Sequence, residues 1–225
     1  MKKLFWLLAF PLLVLASCTE NIHDVDTEFA DWQKRNETFF REKMTAAKAA
    51  VAAARAQYGD DWEAHCDYRI YRDFSVTDET APALVDSICV EIVEHGTGSG
   101  SPLYTDSVEI NYLRRLMPTD SYAEGRTIGH SGYTILPEDI FSTENAPVVG
   151  RHISVLSSVP TSSSLTLGES IALQHMRIGD RWRIYIPTRL AFGKNETTTT
   201  PAYSTLVSEI RLCAYFHAGY QKSSL

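Results

Sequence analysis

The chain is 225 residues long, with 21 Lys and Arg against 28 Asp and Glu, a formal charge of -7. That balance excludes a nucleic-acid binder working through a basic surface. Hydrophobic residues make up 44% and charged residues 22%, which describes a folded, water-soluble body rather than a disordered or collagen-like chain.

Residues 1–17 stand apart. Lys2 and Lys3 precede an apolar run from Leu4 to Leu15, too short to span a bilayer comfortably and ending in small residues before a cysteine. This is the layout of an export signal, and Leu15-Ala16-Ser17-Cys18 resembles the lipobox of bacterial lipoproteins. The resemblance implies that Cys18 carries the lipid and anchors the chain in the bacterial cell envelope, on the periplasmic or surface side of the outer membrane. Cleavage would remove two lysines and no acid, leaving a still more acidic body. Residues 18–28, short and polar, read as a tether.

From Phe29 to Tyr58 the composition is rich in Ala, Lys, Arg, Glu and Gln, without Pro or Gly, and predicts a helix closed by Gly59. Phe40, Met44, Ala47, Val51, Ala54 and Tyr58 recur by threes and fours, giving one narrow apolar stripe. That stripe suits docking on the chain's own body or a homodimer through helix 29–58, and the pattern leaves both open. The helical extension is assigned to residues 29–62.

Beyond Cys66 the period changes to two. Tyr68 and Ile70 on to Phe74, then Ile88, Val90 and Ile92, then Val108, Ile110 and Tyr112, alternate with polar residues as half-buried antiparallel strands do. Trp182, Ile184 and Ile186 form another such run, and Thr205 to Phe216 the last. Gly96-x-Gly98-x-Gly100 predicts a hairpin turn rather than a phosphate loop, since no helix follows. Pro118 to Pro160 reads as irregular, with Ile153 and Val155 in a short strand. Gly168 to Met176 predicts a short helix ended by Gly179. These elements define an α+β body with an antiparallel sheet.

Little of this carries bond-making chemistry. Cys66, Cys89 and Cys213 lack C-x-x-C spacing, and Cys89 and Cys213 sit in apolar runs as small hydrophobes. The seven histidines show no i, i+4 pair for a metal, and Gly129-His130-Ser131-Gly132 lacks the spacing of a serine-hydrolase elbow. Neither metal nor cofactor is expected. Asp60-Asp61 and Glu138-Asp139 read as solvated loop charges.

One ordered series stands out: Val108-Glu-Ile-Asn-Tyr112, then Gly168-x-x-x-Ala172-Leu173-Gln174-His-Met176-x-x-Gly179-Asp180-x-Trp182, then Ile186-Pro187, Leu190-Ala191-Phe192-Gly193 and Thr205-Leu206-Val207. In this order the motifs resemble the FK506-binding-protein (FKBP) type of peptidyl-prolyl cis-trans isomerase, and His95-Gly96-Thr97-Gly98 echoes that family's Gly-Thr-Gly turn. The resemblance covers roughly residues 85–216 and places an FKBP-like domain over residues 66–216. It implies an FKBP-like antiparallel sheet of five or six strands wrapped around one short helix, preceded by the long N-terminal helix, with an apolar proline pocket between helix and sheet.

The implied activity is isomerisation of X-Pro bonds, whose barrier of about 18–20 kcal/mol comes from amide resonance. No bond breaks, so a catalyst needs a partly dehydrated pocket that favours the twisted amide, and no nucleophile. By resemblance, Tyr112, Phe192 and Ile128 form the catalytic wall, Phe192 replacing the family's tyrosine and Ile128-Gly129 its Phe-Asp pair. Leu165 and Thr166 would meet the ligand, the latter through its backbone N–H. Glu169 stands where the family carries a Trp floor, and Leu206 and Leu212 would add apolar walls. The implied partners are proline-containing polypeptides, together with the membrane through lipidated Cys18. Two readings follow: a prolyl isomerase or folding helper for exported proteins, weakened by these exchanges, and a non-catalytic FKBP-like lipoprotein that binds peptide or protein.

Overall fold

The computed structural model describes residues 27–76, 84–132, 134–142, 148–152 and 165–217. The leader, Cys18, most of the tether, Ile153 and Val155 lie outside the described residues. The first long element is α1 (Trp32–Tyr58), entered from a 3-10 turn at Thr27–Phe29. Gly59 ends it with φ 58°, a conformation that favours glycine, and donates its N–H to the Arg55 carbonyl. At 1.5 Å per residue its 27 residues extend about 40 Å.

Among the described residues seven strands follow: β1 (Tyr68–Arg72), β2 (Ser87–Glu94), β3 (Ser107–Leu116), β4 (Thr127–His130), β5 (Val148–His152), β6 (Arg181–Ile186) and β7 (Leu206–Phe216). They form one sheet in the order β1-β2-β6-β7-β3-β4, with β5 also paired to β3 and every pairing antiparallel. β4 and β5 share one edge of β3, opposite Leu113–Arg115 and Ser107–Ile110 respectively. The stretch read as irregular from Pro118 to Pro160 therefore contributes two strands, and also a single helical turn, α2 (Pro137–Ile140). A four-residue strand next to glycine carries too few alternating residues for period two to show.

The glycine turn is a second correction. β2 and β3 are not neighbours, because β6 and β7 lie between them, so residues 95–106 cross the end of the sheet instead of closing a hairpin. The glycines serve close backbone approach there. Gly98 donates its N–H to the Ile178 carbonyl at 3.0 Å and Gly96 donates to Asp180 Oδ1 at 2.6 Å. A Cβ on Gly98 would stand 2.8 Å from Ile178 Cβ.

The alternation of each strand divides its side chains between two helices. On one face Ile88, Val90, Ile110, Ile184, Ile210 and Leu212 pack around Ile171, Leu173 and Met176, which belong to or follow α3 (Leu167–Leu173). Gly168 brings α3 against β6, since a Cβ there would collide with Ile186. On the other face Phe40, Met44 and Ala47 of α1 cover Cys89 and Tyr185, with Tyr68, Ile70 and Val207 beside them. Phe40, Met44 and Ala47, the first half of the apolar stripe, are spent on the chain's own sheet. The stripe continues in the N-terminal direction through Trp32 and Asn36, while Tyr58 at the other end is exposed. Cys66, Cys89 and Cys213 are free thiols, and burial pushes the Cys89 thiol up to about 12.

Candidate functional site

β3 supplies Tyr112 and, two residues on and so on the same face, Arg114. Directly across in β7 stands Ser208, paired in register with Arg114. The third contributor comes from the first turn of α3, where Thr166 caps the helix. Its hydroxyl accepts the Glu169 N–H at 3.3 Å, and Glu169 Oε2 accepts the Thr166 N–H at 2.8 Å, a capping box. Glu169 is thereby turned back under the helix toward the sheet.

There it meets Arg114. Nε donates to Oε1 and Nη2 to Oε2, both at 2.7 Å, and the Ser208 hydroxyl donates to Oε1 at 2.6 Å. The Arg114 side chain is 2% exposed and that of Glu169 0%. Burial alone would raise the Glu169 carboxyl, but the Arg114 charge and the hydrogen bonds from Arg114, Ser208 and Thr166 outweigh it and hold the group below the usual carboxylate value. The guanidinium also lies 4.9 Å from the centre of the Tyr112 ring.

The residues implied by the resemblance lie in the core on the α3 side of the sheet. Tyr112, Phe192, Leu165, Leu206 and Leu212 belong to one buried cluster, with Ile128 packed against it. Leu206 and Leu212 are fully buried core residues. The Thr166 N–H expected to meet a ligand is taken by Glu169, and Glu169 itself has no exposed surface. The cavity between Arg114, Ile128, Phe192, Thr197 and Thr200 measures only about 10 Å3, no more than one water would need. The apolar hollow expected between helix and sheet is, among the described residues, filled by a charged pair.

Open space begins one strand further out. Tyr112, Ile128 and Gly129 form one side of a groove of about 850 Å3, faced by Ile135, Leu136 and Pro137 at the start of α2. Ile135 and Leu136 are more than half and half exposed, at 57% and 50%. Gly129 keeps the groove clear beside Tyr112, whose ring a Cβ there would meet at an ordinary 3.6 Å. Ser131 fixes the strand below by accepting the Tyr112 N–H at 2.9 Å. The described residues hold no group of three or more His, Cys, Asp or Glu side chains placed to bind a metal.

Residues 158–213 match the family model of the FKBP-type peptidyl-prolyl cis-trans isomerase. That stretch contains α3, β6 and most of β7, so the likeness to this type falls on the short helix and two strands of the antiparallel sheet. Over 152 residues it is 24% identical to a macrophage infectivity potentiator of Trypanosoma cruzi, an alignment covering 67% of this chain. The chain spans 64% of that relative's length. Among solved structures it is similar to a peptidyl-prolyl cis-trans isomerase of Pseudomonas syringae pv. tomato, at 22% identity, covering 78% of this chain and 94% of that one with a TM-score of 0.40. It is also similar to the three FKBP domains of wheat FKBP73, at 17% identity, covering 58% and 46% with a TM-score of 0.41.

Proposed function

We propose that the chain binds proline-containing segments of exported polypeptides in the Tyr112–Ile128 groove and isomerises their X-Pro bonds slowly, as a folding helper tethered to the cell envelope through Cys18. The observation that carries this reading is the division of the site: Tyr112 and Ile128 wall an open groove, while the floor beneath is closed by Arg114 and Glu169. A prolyl ring resting against Tyr112 and Ile128 is dehydrated on one side only. Stabilisation of the twisted amide depends on excluding water from a nitrogen that has lost conjugation, so a half-buried amide gains less than an enclosed one. Low turnover follows from that geometry.

The filled floor also favours the second reading, a non-catalytic binder that keeps the scaffold. Exchange spectroscopy on an X-Pro peptide, with a fluorescence titration of the same peptide, separates the two. The isomerase reading expects exchange faster than the uncatalysed rate at micromolar protein, and a lower rate in Tyr112→Ala and Phe192→Ala. Binding with exchange at the uncatalysed rate establishes the non-catalytic reading, and absence of both binding and rate removes the two together.

A further inference from the structure

We infer that a second cavity, where α1 meets the loop after β6, is a binding site for a single amphipathic anion, a hydrocarbon body carrying one carboxylate. It encloses about 490 Å3, within the size range of small-molecule sites. α1 bounds it on one side, and the 3-10 turns Leu84–Asp86 and Thr188–Leu190 contribute the other walls. It shares no lining residue with the Tyr112 groove.

The lining is apolar inside. Phe40 and Pro187 are buried residues of the wall, and Leu84, Val85 and Tyr203 add aliphatic and aromatic surface that the chain leaves open. Tyr203 stands there against its backbone preference. Its φ is 63°, a left-handed conformation that bulky residues rarely adopt. Two hydrogen bonds impose it: the Tyr203 N–H donates to the Gly193 carbonyl at 3.0 Å, and the Tyr203 carbonyl accepts the Thr188 hydroxyl at 3.0 Å. Backbone strain of this kind clusters at ligand clamps, and here it belongs to an aromatic residue of the cavity wall.

The charge on the lining has one sign to spare. Arg189 is spent, on Asp73 at 2.7 Å and Asp86 at 2.8 Å. Arg41 and Lys194, contributed by different elements, are exposed, and their side chains make no hydrogen bond or ion pair among the described residues. Glu37 is the acid of the lining; its carboxylate accepts the Gln33 amide at 2.9 Å, one turn back along α1, and forms no ion pair among the described residues. Low-dielectric walls concentrate the field of the two unspent cations on the cavity, and an arginine fork suits a carboxylate. A hydrocarbon chain covers the apolar lining while its negative head meets Arg41 and Lys194. A wholly polar anion leaves that lining wet, and an alkylammonium meets like charge.

Calorimetric titration of the whole protein with monomeric decanoate, decanol and decylamine tests this, since the three share a chain and differ in the head. Decanoate should bind, and decylamine at least about tenfold more weakly, because like charges are set against each other. Arg41→Gln together with Lys194→Gln should weaken decanoate by about tenfold and leave decanol unaltered. Val85→Trp, at a position 46% exposed, fills the mouth and should abolish binding of both at unchanged circular dichroism. Tyr112→Ala should leave decanoate binding intact. Absence of decanoate binding, equal affinity for decanoate and decylamine, indifference to either the double replacement or Val85→Trp, or loss of binding in Tyr112→Ala would each overturn the inference. So would attachment to phosphatidylglycerol vesicles without uptake of monomeric decanoate, which would make the cavity a membrane contact.

Discussion

At the scale of single residues the decisive pair is Arg114 and Glu169, which fill the floor with charge where the resemblance implied an apolar hollow. A buried ion pair recovers its desolvation cost only while both partners are present. Glu169→Ala should therefore cost about 3–5 kcal/mol in urea unfolding, since it strands a buried guanidinium. The joint replacement Arg114→Met with Glu169→Leu removes both charges at similar volume but leaves the buried Thr166 N–H without its acceptor, so it should cost less than Glu169→Ala, about 1–3 kcal/mol. It also makes the floor apolar, so the X-Pro exchange rate should rise, by about tenfold if 1.4 kcal/mol of extra stabilisation of the twisted amide is gained. An unchanged rate in a folded double variant would show that the floor does not limit catalysis. Half of this pair was legible beforehand: alignment of the motif put Glu169 in place of an aromatic. The other half was written in the alternation Val108, Ile110, Tyr112, Arg114, Leu116, whose inward phase carries one charged residue. What the sequence could not display is that two positions 55 residues apart meet.

At the scale of elements, α1 is bound to the body along most of its length. Phe40 and Met44 are 3% and 2% exposed against Cys89 and Tyr185. Met44→Ala should cost about 2–5 kcal/mol, the usual range for emptying a buried aliphatic site. Asn36 fastens the same helix differently. Its Oδ1 accepts the Thr205 N–H at 2.7 Å and its carbonyl accepts the Thr205 hydroxyl at 3.2 Å. Asn36→Ala strands a buried backbone N–H and should cost about 1–3 kcal/mol, read from the shift of the urea midpoint at constant slope. The helix, its stripe and its glycine stop were legible from spacing. The role of Asn36 was not, because a polar residue in the buried phase reveals a partner only when the fold supplies one. β4 and α2 were missed for another reason: elements of four residues hold barely one period of any pattern.

For the molecule as a whole, acid should act in one direction. Glu169, Asp73 and Glu94 all have their carboxyls lowered: burial opposes this in each, and it is outweighed by Arg114 for Glu169, by Ser75 and Arg189 for Asp73, and by Arg181 and Arg211 for Glu94. Groups with depressed folded-state values contribute stability above the ordinary carboxylate range and lose it as pH falls through their folded values. Burial also lowers His175, so below about pH 6.5 the unfolded chain takes up that proton first and stability declines. The urea midpoint should therefore fall in two stages, gently below about pH 6.5 and steeply below about pH 4.5. His175→Phe should abolish the first stage only, and a midpoint that rises on acidification would contradict the assignment.

The bond from the Trp32 indole to the Ser204 hydroxyl joins residues 172 apart. During synthesis the helix leaves the ribosome well before the partner of its first turn, which follows 172 residues later. Its greasy side must wait uncovered while the intervening residues are made, so its closure is a late, slow event of high contact order, during which a nascent copy is open to misassociation.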